Sequence, residues 1–308
     1  MRYIDPHAHM VSRTTDDYEK MALAGCRALT EPAFWAGYDR CSAEGFRDYF
    51  NQLTSIEPAR ARSYGIHHFT WLCINPKEAE DVGFAREVMQ VIPEFLAKDN
   101  VLGIGEIGLN KNSKNELRVL EEHLEIAAKH QSLVLVHTPH LEDKQKGTRL
   151  IMEAVRNQPT IDPGRVLIDH VEEHTVKEVL DGGFWGGMTL YPDTKCTAKR
   201  AADILETCGT ERLWMNSACD WGPSNPLSVP TAALELRARG HHPDAIDHVI
   251  FKNPMTFLRQ APAFDQRADA IDVGHPPNDS RRTRQSPAAH PRLAEAWCDF
   301  PRHRTTSR

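Results

Sequence analysis

No stretch of this sequence is long and apolar enough to cross a bilayer. Its longest apolar runs, such as Leu133 to Val136, fall far short of the roughly 20 residues a spanning helix requires. The first residues, Met1-Arg2-Tyr3-Ile4-Asp5, carry charge where a secretory signal would need an apolar core, so a soluble, cytoplasmic protein is expected. Seven cysteines occur, yet none forms a Cys-x-x-Cys pair and the total is odd, which points to free thiols over a zinc ribbon or disulfide framework. There is no P-loop signature; Gly182-Gly183 and Gly186-Gly187 flank Phe184-Trp185 and read as turns and close packing. Nor is there a basic excess. Of the net charge of −6, positions 266–308 carry +3 and the first 265 residues therefore −9, which argues against tight non-specific DNA binding.

What is present is a regular alternation of apolar, β-rich runs with amphipathic helical stretches. The runs at 2–9, 22–29, 68–75, 101–106, 133–137, 166–170, 184–191 and 213–220 read as eight strands. Between them, Leu117, Leu120, Leu124 and Ala127 recur at helical spacing over 115–130, as do Ala198, Ala201, Ala202 and Leu205 over 195–208. Alternation of this kind predicts a parallel sheet, and several strands are continuously apolar, as burial on both faces demands. Eight such units in 308 residues fit a single-domain α/β (β/α)8 barrel of the TIM type, which takes about 250 residues. The expected boundaries are 1–265 for the barrel and 266–308 for a disordered Arg- and Pro-rich tail without apolar periodicity.

The chemistry gathers at the strand ends. In Asp5-Pro6-His7-Ala8-His9, side chains at i and i+2 of a strand share a face, so His7 and His9 can reach one ion. Asp5, one layer deeper, is placed to orient an imidazole. Glu106 closes the fourth strand, His137 the fifth, His170 the sixth and Asp220 the eighth. An ionisable group at the end of an apolar strand is costly unless paired or coordinated. The intervals from Glu106 to His137 and from His137 to His170 are 31 and 33 residues, each about one βαβ step. In a barrel these ends converge on the face where barrel enzymes place their chemistry.

With these motifs the sequence resembles the amidohydrolase superfamily and, within it, the TatD-type metal-dependent hydrolases. The matching pieces are Asp5-Pro6-His7-Ala8-His9, Gly105-Glu106-Ile107-Gly108-Leu109, then His137, His170 and Asp220 in order, and the closing Asn253-Pro254-Met255-Thr256-Phe257-Leu258. The resemblance implies two divalent ions, Zn, Mn, Co or Ni, with His7, His9 and Asp220 on one, His137 and His170 on the other, and Glu106 bridging. It also implies metal-activated water as the nucleophile and Asp220 as general base. There are departures. Pro139 stands where TatD nucleases carry an arginine two positions after the strand-5 histidine, which removes a bidentate phosphate clamp. Ala218-Cys219 replaces Glu-Thr before Asp220, and Trp221-Gly222 follows it without the family's proline.

The expected function is therefore hydrolysis of a phosphoester or other ester. A TatD-like deoxyribonuclease and a catalytically dead metal-binding scaffold stand as alternatives. The partners expected are a small-molecule or phosphoester substrate, with nucleic acid less favoured and no membrane. His140, His174 and Trp221 are candidates to face the substrate, against solvated loop histidines and ordinary packing. Asp169 alternates away from His170 and reads as structural, and His67-His68 and His241-His242 read as surface pairs.

Overall fold

A computed structural model describes residues 1–139 and 142–277. Eight parallel strands run in sequence order round one sheet: β1 Tyr3–Asp5, β2 Cys26–Pro32, β3 His67–Leu72, β4 Val101–Gly108, β5 Leu133–His137, β6 Val166–Asp169, β7 Trp185–Thr189 and β8 Leu213–Asn216. The ladder does not formally close between β8 and β1. Just beyond both strands, however, Ala218 N donates to His7 O at 2.7 Å and His9 N to Cys219 O at 2.8 Å. These bonds continue the wall and make this a (β/α)8 barrel, with helices between the strands. Among the described residues no helix is long and apolar enough to cross a membrane.

The strand positions follow local chemistry. Ser113 caps the helix Lys114–His130 by accepting from Glu116 N, and Glu116 reaches back to Ser113 N, a reciprocal capping box. The helix delivers the chain through a left-handed Gln131 into β5, which occupies the expected 133–137. Below β8, the Asn253 side chain donates to the carbonyls of Thr210 and Leu213, both at 2.6 Å. That anchors the helix Asn253–Leu258, whose Phe257 packs against Trp71, Trp185 and Trp214.

Four expectations are corrected. The second strand is not 22–29: the helix Thr15–Leu23 covers its start, and Gly25 at φ +96° turns the chain so closely onto Met1 O that a Cβ there would lie 2.0 Å away. The eighth strand stops at Asn216, so Asp220 lies on a loop. His67 and His68 are not a surface pair but lead β3 and are buried, with His68 Nε2 hydrogen-bonded to Glu31 at 2.8 Å. The boundary expected at 266 falls inside the helix Pro262–Val273, which buries Phe264, Ala268 and Ile271. The remainder of that expected tail, 278–308, lies outside the described residues.

Candidate metal centre

β1 ends at Asp5 because Pro6 has no N–H to continue the ladder. The chain stays extended through separate bonds, with Ala8 N donating to Thr30 O at 3.0 Å and His9 N to Cys219 O. The i, i+2 relation survives, and His7 Nε2 and His9 Nε2 come within 2.9 Å of each other. From the far wall, Glu106 Oε1 lies 2.8 Å from His137 Nδ1 and 2.9 Å from His170 Nε2, and these two nitrogens are 3.0 Å apart. His7 Nε2 stands 3.9 Å from the same oxygen. Ligand atoms of His7, His9 and Glu106 form one convergent group and those of Glu106, His137 and His170 another, each within 4.8 Å, with Glu106 common to both. All five residues are buried.

The hydrogen bonds behind these side chains fix their tautomers. Asn216 Nδ2 donates to Asp169, so its Oδ1 accepts from Thr189 Oγ1 at 2.9 Å, and Thr189 Oγ1 in turn accepts from His170 Nδ1 at 2.6 Å. His7 Nδ1 donates to Asp169 Oδ2 at 2.5 Å. His170 therefore presents a bare Nε2 lone pair to the centre, and His7, its Nδ1 committed to Asp169, turns Nε2 toward it. Burial, with the nearby Lys195 charge, holds His170 well below the ordinary histidine range, and burial with His7 does the same for His9. Burial also lowers His137 against the pull of Glu106. Burial opposes a charged His7 too, but Glu106 and the bond to Asp169 outweigh it and raise its pKa. Burial works against ionised Glu106 as well, yet His137 and His7 hold its carboxylate well below the usual range.

His170 Nε2 thus turns a lone pair onto the Glu106 carboxylate oxygen at about hydrogen-bond distance, while His9 Nδ1 and His137 Nε2 are buried without a partner. That clash of acceptors would be relieved by a divalent cation, and imidazole with carboxylate is a suitable donor set. The residues present fit the group.

The sequence misplaces several members of the site. Asp169, read as structural, is the group that orients His7. Strand alternation fails there because His170 adopts φ +60°, which breaks the pleat and turns consecutive side chains into the site. Gly187 makes room for this, since a Cβ would lie 2.1 Å from Asp169 Oδ1. Asp5 does not touch an imidazole; its Oδ1 accepts from the backbone of Ser217 and His7. Asn75, which donates to Glu106 Oε2 at 3.2 Å, was the polar end of the expected third strand and could have been found by that signal.

Asp220 lines the same cavity, of about 70 Å³, but stands outside both convergent groups. Its Oδ1 accepts from Tyr191 Oη at 3.1 Å and Gly222 N at 2.7 Å. Trp221 also lines the cavity, 54 % exposed and edge-on to Trp35. His174 is exposed and does not line it; it adjoins Glu172 and Glu173, which pair with Lys144 and Arg200. His140 lies outside the described residues. Lys195, from the loop after β7, and Lys77, from the turn Pro76–Glu78 after β3, reach the cavity unannounced by any motif. A larger cavity of about 290 Å³ opens at the opposite end of the barrel beside Leu102, Gln131 and Arg165, away from every convergent donor.

A family model described as TatD related DNase matches residues 4–224. The chain belongs to that family. An uncharacterized metal-dependent hydrolase of Methanocaldococcus jannaschii is 26 % identical over 259 residues, covering 83 % of this chain and 99 % of that protein. Among solved structures, a TatD-like protein from Archaeoglobus fulgidus superposes with a TM-score of 0.69 at 24 % identity, over 83 % of this chain and all of the other. The phosphotriesterase homology protein of Escherichia coli, solved with phosphate in its active site, gives 0.62 at 14 % identity over 83 % and 98 %. These likenesses agree on the barrel, and the family makes this chain a metal-dependent hydrolase with its substrate unassigned.

Proposed function

We propose that this family member hydrolyses an ester bond, a phosphoester first among them, at a centre of two divalent cations. His7 and His9 would hold one ion, His137 and His170 the other, with Glu106 between them. The observation that carries this reading is that Glu106 is shared by two groups of ligand atoms. When bound, the cations would supply Lewis acidity, acidifying water and polarising the scissile bond.

The protein's own residues do the rest. Asp169 and Thr189 hold His7 and His170 in the tautomer that leaves Nε2 free, and Asn75 steadies Glu106. Tyr191 and Gly222 occupy Oδ1 of Asp220, so Oδ2 is the oxygen that takes the proton from the attacking water. The further role expected of Asp220, as a ligand beside His7 and His9, has no support in its position outside their group. Trp221 walls the cavity mouth. The six described cysteines are free, which suits a reducing compartment, the cytoplasm.

Metal content of the purified chain, followed by a panel of aryl phosphates, carboxylic esters, lactones and single- and double-stranded DNA, tests the proposal. Close to two ions per chain and turnover of an ester are expected. A well-folded chain that binds no metal at saturating concentration overturns it. Preference for DNA over every small ester would restore the nuclease alternative.

A further inference from the structure

We propose that Lys195 is the anion-binding group of this cavity, and that the substrate bears a phosphoryl charge beside a planar apolar group. This deepens the hydrolase reading above and rests on it for the word substrate, though not for the binding site.

The sequence of the loop after β7 delivers the side chain with little freedom. Lys195 N donates to Tyr191 O at 2.8 Å, Cys196 N to Thr189 O at 3.0 Å, and Arg200 donates to Lys195 O at 2.6 Å. Nζ lies over the Tyr191 ring, 5.1 Å from its centroid. The head lines the same cavity as His9, Glu106, His137 and Asp220. Among the described residues Lys195 forms no ion pair within 4.0 Å, whereas Lys144 nearby is paired with Glu172 at 2.9 Å.

An ammonium held at a cluster of cation ligands is a liability. It repels whatever ions the histidines hold, and the cavity's carboxylates, Glu106 and Asp220, already have other partners. An incoming anion removes that conflict. Lys77 enters from the loop after β3, and strands three and seven of an eight-stranded barrel lie opposite each other, so the two ammonium groups flank the cavity. Beside them, Trp35 and the exposed Trp221 meet edge to face at 6.0 Å, an aromatic rim for a flat leaving group. A phosphoryl ester with an aryl or heteroaryl group matches both features; a neutral alkyl ester matches neither.

The experiment compares the wild-type chain with Lys195→Met and Lys195→Arg, on p-nitrophenyl phosphate, bis(p-nitrophenyl) phosphate and neutral p-nitrophenyl acetate. Inorganic phosphate is titrated calorimetrically into the metal-loaded and metal-free forms of each. In Lys195→Met the ratio of kcat/KM for the phosphates to that for the acetate should fall on the order of 10- to 100-fold, the scale of a lost hydrogen bond to a charged group. Phosphate affinity should fall with it, and Lys195→Arg should recover most of both. If both substrate classes decline together, or phosphate binds Lys195→Met as tightly as wild type, the proposal is overturned; Lys195→Arg guards against misfolding as the cause. If no ester is turned over, the titration still decides. Affinity lost in Lys195→Met then keeps the anion site while the hydrolase reading fails.

Discussion

Along β4, β5 and β6 the ligand-type side chains Glu106, His137 and His170 lie within two residues of strand ends, whereas on the β7–β8 side Lys195 and Asp220 come from loops, six and four residues past their strands. The first set is positioned by the ladder and by buried partners: Asn75 on Glu106, Thr189 on His170. The second is positioned by loop hydrogen bonds, Tyr191 and Gly222 on Asp220, and is partly open to solvent. A strand-borne half that carries the convergent donors thus faces a half drawn from loops. Division of this kind lets one barrel serve many substrates, because loops change more readily than strands.

The sharpest way to break that comparison is to substitute one residue on each side. In Glu106→Gln a neutral amide replaces the oxygen shared by both ligand groups, so at least one ion should be lost and turnover should fall the furthest of any change considered. In Asp220→Asn the cations should stay, while turnover drops by a factor on the order of 10² to 10⁴ with KM little changed. Elemental analysis beside steady-state kinetics reads both. Full activity of Asp220→Asn with metal bound would move the base elsewhere, and metal loss in Asp220→Asn would return that residue to the ligand set.

The same division explains what could be read from the chain. The convergence of Glu106, His137 and His170 was legible because each ends an apolar run at a βαβ interval, and that of His7 and His9 because positions i and i+2 of a strand share a face. Asp169 was not legible, because alternation presumes a continuing pleat and His170 leaves it at φ +60°. Lys195 was not legible either: a lysine in a polar loop carries no period, and only the folded loop turns it inward. His68 was misread as surface because its partner, Glu31, is 37 residues away on the neighbouring strand. Burial pushes Glu31 well above the carboxylate range and His68 down to about 4, so the two sit as a neutral pair.

A smaller effect should follow from Gly187→Ala, which attacks the support of His7 without touching a ligand. The added Cβ would lie 2.1 Å from Asp169 Oδ1 and 3.2 Å from Trp214 Nε1, so either the carboxylate or β7 must shift. Overpacking of this sort costs about 1–3 kcal/mol. Displacing the group that orients His7 should also weaken metal affinity by about 10- to 100-fold. Denaturant melts and metal titrations measure the two losses. A stable variant of unchanged affinity would show that Asp169 is not held against Gly187 as described.

The smallest effect concerns pH and the metal-free chain. His123 is buried and neutral, its Nδ1 donating to Val119 O at 2.8 Å and its Nε2 accepting from Ile74 N at 3.3 Å. Burial lowers it to about 4, as it does His68. An unfolded histidine titrates near 6.5, so below that pH the unfolded chain binds protons that the folded chain refuses. Stability should be fully present above about 6.5 and be lost progressively as pH falls toward about 4. Each histidine should contribute a few degrees of Tm over that window. The ligand histidines titrate in the metal-free chain too, so the informative quantity is the difference made by His123→Gln. Its amide can donate and accept but carries no proton to gain, and the acid slope of Tm should flatten in the variant. An unchanged slope would mean that His123 is protonated in the folded chain, and that its bond from Ile74 N does not form.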